Sequence, residues 1–395
     1  MLSPLATLET LAQSPSLSDI RQWIDPERVL ADTIAIQQIP APTFEEARRA
    51  AFLADRFAAL GLEDVRTDAI HNVFGRRRGI YRGAPALLVS AHTDTVFAQS
   101  TDLTVRRDDA RVYGPGIGDN SLGVASLLAL LGALGSADIH TGSDIWFVAN
   151  SREEGLGDLG GMRAVWAELG AQLGAAVVVE GMALGRIYHA GIAVRRLRVS
   201  CRAPGGHSWH HFGQPSAIHS LVRLAGQILT IEPSRDPRTT YNIGLLEGGQ
   251  SVNSLASSAS MVLDLRSETH AGLAVVETQV RDAVGRLQEP MLAFQIEVVG
   301  DRPAGRISRD HVLAQLAAAA VRTIHRAPVF ESGSTDANAL LAQGLPTVTI
   351  GISRGGHAHR LDEFIDTAPI VEGILQLALL VLAAADTLAS WAAGP

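Results

Sequence analysis

The chain has 395 residues, 47% of them hydrophobic and 19% charged, which is typical of a soluble globular protein. Because a chain of this length is longer than one ordinary hydrophobic core accommodates, we expect two domains. The 33 Lys and Arg residues against 41 Asp and Glu residues give a net charge of −8, which argues against nucleic acid or an anionic membrane as a partner.

The sequence favours a cytoplasmic protein. The single cysteine, Cys201, excludes an intrachain disulfide and fits a reducing compartment. Residues 1–16 lack the basic region and apolar core of a secretory signal. Residues 374–393 are apolar, but Gln376, Asp386 and Thr387 interrupt them, so we expect a buried helix there instead of a membrane span.

Short apolar runs alternate with helical patterns in the first half and the last third of the chain. The predicted strands are residues 85–91, 144–150, 175–180 and 346–353. The predicted helices are residues 45–61, 121–135 and 312–325. Uninterrupted buried runs between helices indicate an α/β domain with a mostly parallel sheet and helices on both faces.

The middle of the chain has a different pattern, beginning with alternating polar and apolar residues at 192–203. After this strand we predict a helix at 216–230, strands at 239–249 and 258–268, a helix at 272–288 and a strand at 292–302. The order βαββαβ is the ferredoxin-like, split-βαβ arrangement and predicts an inserted α+β domain. The expected domains are therefore 1–190 with 303–395, and 191–302.

Histidines and carboxylates gather after the predicted strands. In open parallel sheets, ligands bind beyond the carboxyl ends of the strands, so these side chains should converge at one edge. Each signal is weak alone, since a His-x-Asp pair is usually structural and a Glu-Glu pair is usually solvated. The residues concerned are His92, Asp94, Asp119, Glu153, Glu154, Glu180, His357 and His359.

Clustered carboxylates repel one another unless a cation compensates their charge. Imidazole and carboxylate ligands without a thiolate suit zinc or another divalent first-row ion, whereas magnesium and calcium prefer oxygen ligands only. The candidate ligand residues are more numerous than the protein ligands of a single catalytic zinc ion, which are about three. Two metal ions that share one bridging carboxylate would use them all.

Five motifs occur in the order seen in a known family: H-T-D-T-V, G-I-G-D-N-S-L-G, E-E-G-L-G-D-L-G-G, V-E-G and A-H-R-L-D-E. The chain resembles the dizinc metallopeptidases, which include peptidase T, aminoacylase, glutamate carboxypeptidase and succinyl-diaminopimelate desuccinylase. The resemblance covers roughly residues 25–385, including the inserted domain.

This resemblance implies two divalent metal ions, with zinc the first choice and cobalt or manganese as alternatives. One ion would be held by His92, Asp119 and Glu180, and the other by Asp119, Glu154 and His359. Asp119 would bridge them. The family pattern A-H-x-x-[DN]-E selects His359 as the ligand, with His357 as the alternative.

The resemblance also implies catalytic roles for two neighbours of the ligands. Asp94 would accept a hydrogen bond from the ring of His92 and fix its orientation. Glu153 would be the general base that takes a proton from the metal-activated bridging water and then protonates the leaving amine. Adjacent residues in an extended segment point in opposite directions, which fits different roles for Glu153 and Glu154.

The inserted domain resembles the lid and dimerisation module of the family, which implies a homodimer. His207 would stabilise the oxyanion across the dimer interface, and Asn253 and Arg266 would contact substrate. Arg302 would pair with a substrate carboxylate, or else form a salt bridge at a strand end. The loop at residues 333–338, GSTDAN, would line the cleft.

The expected activity is metal-dependent hydrolysis of an amide bond in a small molecule or short peptide. E-E-G-L-G-D-L-G-G and G-S-T-D-A-N are most similar to peptidase T and favour a tripeptide aminopeptidase. Glu180 is a glutamate where aminopeptidases of the family usually carry aspartate, so we prefer an N-acyl amino acid or a C-terminal residue as the target. The opening of a carbamoyl or amidino group, and a non-catalytic metal-binding dimer, remain as alternatives.

Overall fold

The computed structural model describes residue 8, residues 20–287 and residues 289–392. The chain divides into two compact units. Unit 1 comprises Met1–Gly191 and Gly305–Pro395, and unit 2 comprises Ile192–Ala304.

The secondary structure of both units is numbered in chain order. The strands are β1 (Glu63–Thr67), β2 (Val73–Arg77), β3 (Ala86–His92), β4 (Arg106–Arg107), β5 (Arg111–Tyr113), β6 (Ile145–Asn150), β7 (Leu173–Glu180), β8 (Arg186–Gly191), β9 (Ala193–Arg202), β10 (Gly206–His207), β11 (Thr239–Gly248), β12 (Ser254–Leu255), β13 (Ser258–Ser267), β14 (Ala293–Arg302), β15 (Gly305–Arg306), β16 (Val329–Gly333), β17 (Thr347–Gly351), β18 (Gly355–Gly356) and β19 (Phe364–Asp366). The helices are α1 (Pro26–Gln37), α2 (Ala47–Ala59), α3 (Leu122–Ser136), α4 (Gly160–Leu169), α5 (Ala217–Ile228), α6 (His270–Arg286), α7 (Val312–Thr323), α8 (Ala337–Leu341) and α9 (Ile370–Ala392).

The main sheet of unit 1 has the strand order β1-β2-β6-β3-β7-β17-β8-β15, and β16 also pairs with β8. Its centre is parallel, because β6, β3, β7 and β17 all run in the same direction. Strands β2, β8 and β15 join the flanks in antiparallel pairings and make the sheet mixed. The predicted α/β fold with a largely parallel sheet is confirmed at this centre.

Helices cover both faces of the sheet, as the alternation of side chains along β3 shows. Leu87 and Val89 pack into a core that includes residues of α3 and α9. Leu88 points the other way, into a second core with Met162 of α4 and Leu340 of α8. A strand buried on both faces needs apolar residues at successive positions, which explains the uninterrupted apolar run in the sequence.

Two segments of unit 1, Ile117–Ser136 and Ile370–Trp391, are long and apolar enough to cross a membrane by length and composition. In each segment, 83% of the most apolar stretch of 18 residues is buried within the protein. Gln376 of α9 is fully buried, and its Nε2 donates a hydrogen bond to the carbonyl of Gly351 at 3.4 Å. Burial of this kind is typical of a core helix, which is what the polar interruptions of α9 predicted.

Unit 2 is a four-stranded antiparallel sheet in the order β11-β13-β9-β14. Alternate residues of β9 and β13, such as Leu197 and Leu263, form a core with Leu221 of α5 and Val280 of α6. This is the predicted βαββαβ order, with the two-residue strands β10 and β12 added. Its service as a lid or dimerisation module stays a prediction.

Helix α9 approaches the residue after β17 so closely that position 373 has no room for a side chain. A Cβ atom added to Gly373 would lie 1.8 Å from the carbonyl oxygen of Ile352. A backbone carbonyl held by the sheet cannot move aside cheaply, so the helix would have to shift.

We therefore expect Gly373→Ala to lower the free energy of unfolding by about 1–3 kcal/mol through overpacking. Gly135→Ala in α3 is the matched control, since a Cβ there meets nothing within 4 Å. The control should be neutral or stabilising by up to about 1 kcal/mol, because alanine favours helix. Thermal unfolding of both variants checks this, and equal melting temperatures would contradict it.

Candidate metal centre

The site lies at the carboxyl edge of the parallel strands. His92 is the last residue of β3, and Glu180 is the last residue of β7. Glu153 and Glu154 follow the end of β6, and His359 lies in the segment after β17. Because these four strands are parallel, their ends meet at one edge of the sheet. Asp119 joins them from the turn Ile117–Ser121, which leads into α3.

Asp119 lies between two histidines and presents one carboxylate oxygen to each. Its Oδ1 is 3.1 Å from Nε2 of His92, and its Oδ2 is 3.2 Å from Nε2 of His359. Glu180 approaches His92, with Oε2 at 3.6 Å from Nε2. Glu154 approaches His359, with Oε1 at 3.1 Å from Nε2. The two groups thus share only Asp119, as a bridging carboxylate would.

Three sets of potential ligand atoms lie within 4.8 Å of one another: His92 with Asp119 and Glu180, Asp119 with Glu154 and His359, and His92 with Glu153 and Glu154. The first two sets are the ones implied by the family resemblance. His357 is not among them, since its Nδ1 is 2.9 Å from Oδ2 of the exposed Asp362.

The donor set fits two divalent cations, because imidazole and carboxylate ligands surround both ends of one shared carboxylate. Without such cations, protonated imidazoles must balance the carboxylates. Hydrogen bonds that the His359 ring donates to Asp119 and Glu154 raise the pKa of His359 to about 10. Burial alone would lower the pKa of His92, but Asp119, Asp94 and Glu180 raise it well above its ordinary value.

The carboxylates respond in opposite directions. Although burial raises the pKa of Asp119, hydrogen bonds from His359 and His92 hold it below its ordinary value. Burial raises the pKa of Glu154 to about 7, and it also raises the pKa of Glu180. Metal ions would replace the protons on both histidines and favour the ionised form of every carboxylate.

Asp94 mainly holds the segment that carries the two glutamates. Its Oδ1 accepts the backbone N–H of Glu153 and its Oδ2 that of Glu154, both at 2.9 Å. The hydroxyl of Thr43 adds a third hydrogen bond at 2.8 Å. The predicted contact of this carboxylate with the ring of His92 spans 3.6 Å, too long for a hydrogen bond, whereas Nδ1 of His92 lies 3.1 Å from the Asp94 carbonyl oxygen.

The comparison with known proteins agrees with this geometry. A sequence model of Peptidase family M20/M25/M40 matches residues 88–383. The chain belongs to this family. The members are hydrolases of peptides and related amides and generally bind two divalent metals, so the predicted resemblance to the dizinc metallopeptidases is confirmed.

Individual M20 relatives are distant but cover nearly the whole chain. Acetylornithine deacetylase of Myxococcus xanthus is 26% identical over 365 residues, which are 87% of this chain and 92% of the relative. Aminopeptidase PepT of Bacillus cereus has a TM-score of 0.71 at 22% identity over 93% of this chain and 100% of that one. The di-peptidase Dug1p of Saccharomyces cerevisiae has a TM-score of 0.78 at 14% identity, covering 94% and 98%. These two structures establish the fold.

Glu363 supports Asp119 from behind and had no role in the sequence analysis beyond its place in the motif A-H-R-L-D-E. Its Oε1 accepts the backbone N–H groups of Gly118 at 2.7 Å and of Asp119 at 2.8 Å. Its Oε2 accepts that of Gly116 at 3.3 Å. Burial and the charge of Asp119 raise the pKa of Glu363 to about 8, while the three N–H donors act in the opposite direction.

Glu46 is a second buried support that sequence reasoning missed. Its Oε1 accepts the backbone N–H of Arg152 at 3.1 Å and that of Phe44 at 3.0 Å. Three residues later, Arg49 is also buried and donates to the carbonyl of Thr93 at 2.6 Å. The run E-E-A-R-R has the composition of a solvated helix face, so no sequence signal distinguishes these two side chains.

Asp336, in the loop GSTDAN, contacts the carboxyl end of β6. It is fully buried, and its Oδ2 accepts a hydrogen bond from Nδ2 of Asn150 at 2.7 Å. The carbonyl of Asn150 in turn accepts the backbone N–H of Thr93 at 2.7 Å. Burial raises the pKa of Asp336 well above its ordinary value, and the charge of Glu153 raises it further, so the protonated form is favoured.

Two residues predicted to face the substrate, His207 and Asn253, are exposed in unit 2. Nδ1 of His207 accepts the backbone N–H of Trp209 at 3.2 Å. Oδ1 of Asn253 accepts the hydroxyl of Ser251 at 2.5 Å. Both side chains therefore have local partners, and their contact with substrate stays a prediction.

The two predicted arginines of unit 2 differ in exposure. Arg266 is exposed, and its Nε donates to Oδ1 of Asp264 at 2.6 Å. Arg302 is the last residue of β14 and is only 4% exposed. Burial of a guanidinium to this extent is costly unless it is paired, and the contact of Arg302 with substrate stays a prediction.

We expect metal binding to release protons, because His92 and His359 are protonated in the metal-free protein and must be neutral to bind. The apparent affinity for zinc should therefore rise with pH between about 6 and 8, with at least about two protons released per chain at pH 7, since Glu154, whose pKa is about 7, also loses part of a proton. Calorimetry of zinc binding to chelator-treated protein, in buffers of different ionisation enthalpy, measures this number. A binding heat that is the same in every buffer would contradict it.

We also expect Glu363→Gln to weaken zinc binding by about 10–100-fold, because the amide keeps one acceptor oxygen and places an N–H donor against the backbone N–H of Gly116 or against those of Gly118 and Asp119. Asp362→Asn is the matched control, since Asp362 is an exposed neighbour that contacts His357 and Arg360. Competition with a chromophoric chelator gives both affinities. The role of Glu363 fails this test if the two variants bind zinc equally.

Proposed function

We propose that this M20 protein is a two-metal amidohydrolase that cleaves an N-acyl amino acid or the C-terminal residue of a short peptide. The observation that carries the proposal is the position of Asp119, which presents one oxygen to each of two histidine–glutamate groups. A shared carboxylate of this kind fits a pair of metal ions better than a single one.

The residues that would hold the ions are His92, Asp119 and Glu180 on one side, and Asp119, Glu154 and His359 on the other. Zinc is our first choice, with cobalt or manganese as alternatives. Two such ions supply Lewis-acid polarisation of the amide carbonyl and lower the pKa of a coordinated water molecule.

Glu153 is the proposed general base. Its carboxylate lies within 4.8 Å of the ligand atoms of His92 and Glu154, and its side chain is buried. The hydrogen bond from its backbone N–H to Asp94 fixes its position at the edge of the cluster. Glu153 takes a proton from the attacking water and later delivers this proton to the leaving amine, so one residue serves both steps.

The substrate class rests on Glu180 and on the relatives. A glutamate at this position is usual among carboxypeptidases and deacylases that resemble this chain, and the acetylornithine deacetylase of Myxococcus xanthus matches over most of its length. The second candidate is a tripeptide aminopeptidase, which the motif E-E-G-L-G-D-L-G-G favours. Asn253, Arg266 and Arg302 are proposed to bind substrate, and His207 to stabilise the oxyanion in a cytoplasmic homodimer.

The test is hydrolysis by zinc-loaded protein of two matched sets, N-acetylated amino acids and free-amine tripeptides, with a chelator-treated sample beside each. We expect cleavage of the acetylated set, of the C-terminal bond of the tripeptides, or of both, and no cleavage of the amino-terminal bond of the tripeptides. Glu153→Ala should lower kcat by about 10²–10⁴-fold and keep the metal content of the wild type. Glu45→Ala, at an exposed position, is the control and should retain full activity.

Two results would contradict the proposal in different ways. Cleavage of the tripeptides at their amino-terminal bond alone would make the protein an aminopeptidase and remove the meaning assigned to Glu180. Full activity of Glu153→Ala would leave the hydrolase intact but show that another group moves the proton.

A further inference from the structure

Unit 1 also contains a cleft. None of the described residues that line it belongs to the metal cluster. The cleft has a volume of about 900 Å³. Its charged lining residues include Arg21, Arg326, Arg354 and Glu372, and we call it the arginine cleft. Clefts of this volume are large enough for a small organic ligand.

Three of the four arginines that line the cleft have no carboxylate partner among the residues that the structure describes. A fourth arginine, Arg111, is paired with Asp366, with Nε at 2.9 Å from Oδ1. Within the described residues, Arg21, Arg326 and Arg354 form no ion pair, and Nε of Arg326 is buried without a hydrogen-bond partner. Like charges around one cleft repel one another, so a bound anion would stabilise this arrangement.

The net charge of the cleft indicates which class of anion would bind there. Counting the described lining residues only, Arg21, Arg326 and Arg354 against Glu372 leave a net charge of about +2, and Arg111 and Asp366 cancel each other. A phosphate monoester carries about −1.5 to −2 at pH 7 and accepts bidentate hydrogen bonds from guanidinium groups. A monocarboxylate would leave part of this charge uncompensated.

Two further features suit an organic phosphate. Ala368 and Pro369 line the cleft immediately before α9, a helix of 23 residues, so the positive end of its dipole lies there. Ile324, Leu375 and Leu379 supply an apolar wall for a carbon skeleton.

We propose that the arginine cleft binds the phosphate monoester of a small polar organic molecule. This site is separate from the metal cluster and is independent of the amide that the enzyme cleaves.

The test is calorimetric titration of zinc-loaded protein with adenosine 5′-monophosphate, glucose 6-phosphate and glycerol 3-phosphate, each beside its unphosphorylated parent. Because phosphates also coordinate zinc, the wild type is compared with the double variant Arg326→Gln/Arg354→Gln. The control is Arg28→Gln/Arg322→Gln, a pair of exposed arginines outside the cleft.

We expect at least one phosphate to bind, at least about tenfold more tightly than its parent. The double variant should lose at least about tenfold in affinity, whereas the control should match the wild type. The double variant should fold with an unchanged or higher melting temperature, because it removes repulsion, and the phosphate should raise only the melting temperatures of the wild type and the control. Absence of binding by all three phosphates, or equal binding to the double variant, would overturn the proposal.

Discussion

The charge balance around Asp119 is the constraint on which unit 1 depends. Asp119, Glu154 and Glu180 are brought out of bulk water beside two imidazoles, and carboxylates removed from water are costly unless cations compensate them. Protons on the histidines provide this compensation in the free chain, and divalent cations do so more fully. The same atoms that make the cluster unfavourable alone therefore make it a strong metal site.

The rest of the edge is built to keep that cluster in place. Asp94, Glu46 and Glu363 use their carboxylates to accept backbone N–H groups of the segments that carry the ligands. Hydrogen bonds between a carboxylate and the main chain fix position without a second flexible side chain, so they lose little conformational entropy. Precision at the site thus comes from buried carboxyl groups that hold the main chain of the segments carrying the candidate ligands.

The convergence of the candidate ligands could be predicted from the sequence because several of them follow apolar runs. The apolar runs that end at His92 and Glu180 mark strand ends, and the parallel centre of the sheet brings such ends together. The sequence analysis did not assign the buried contacts of Glu46 and Asp336, for a physical reason. Glu46 and Asp336 act over long sequence separations, and nothing nearby in the sequence shows that they are buried. Asp94 was found, but its partners depend on the path of the backbone at residues 153–154, which local patterns do not specify.

The two units differ in when all of their residues have been synthesised. Unit 2 is one continuous segment, so all of its strands are available once residue 302 has been synthesised. Unit 1 is discontinuous, and the helix that packs against Ile352 through Gly373 is the last element of the described chain. Domains generally fold as units during synthesis. On a ribosome, unit 2 can therefore complete its core before unit 1 does, and the cluster around Asp119 can form only after His359 has emerged.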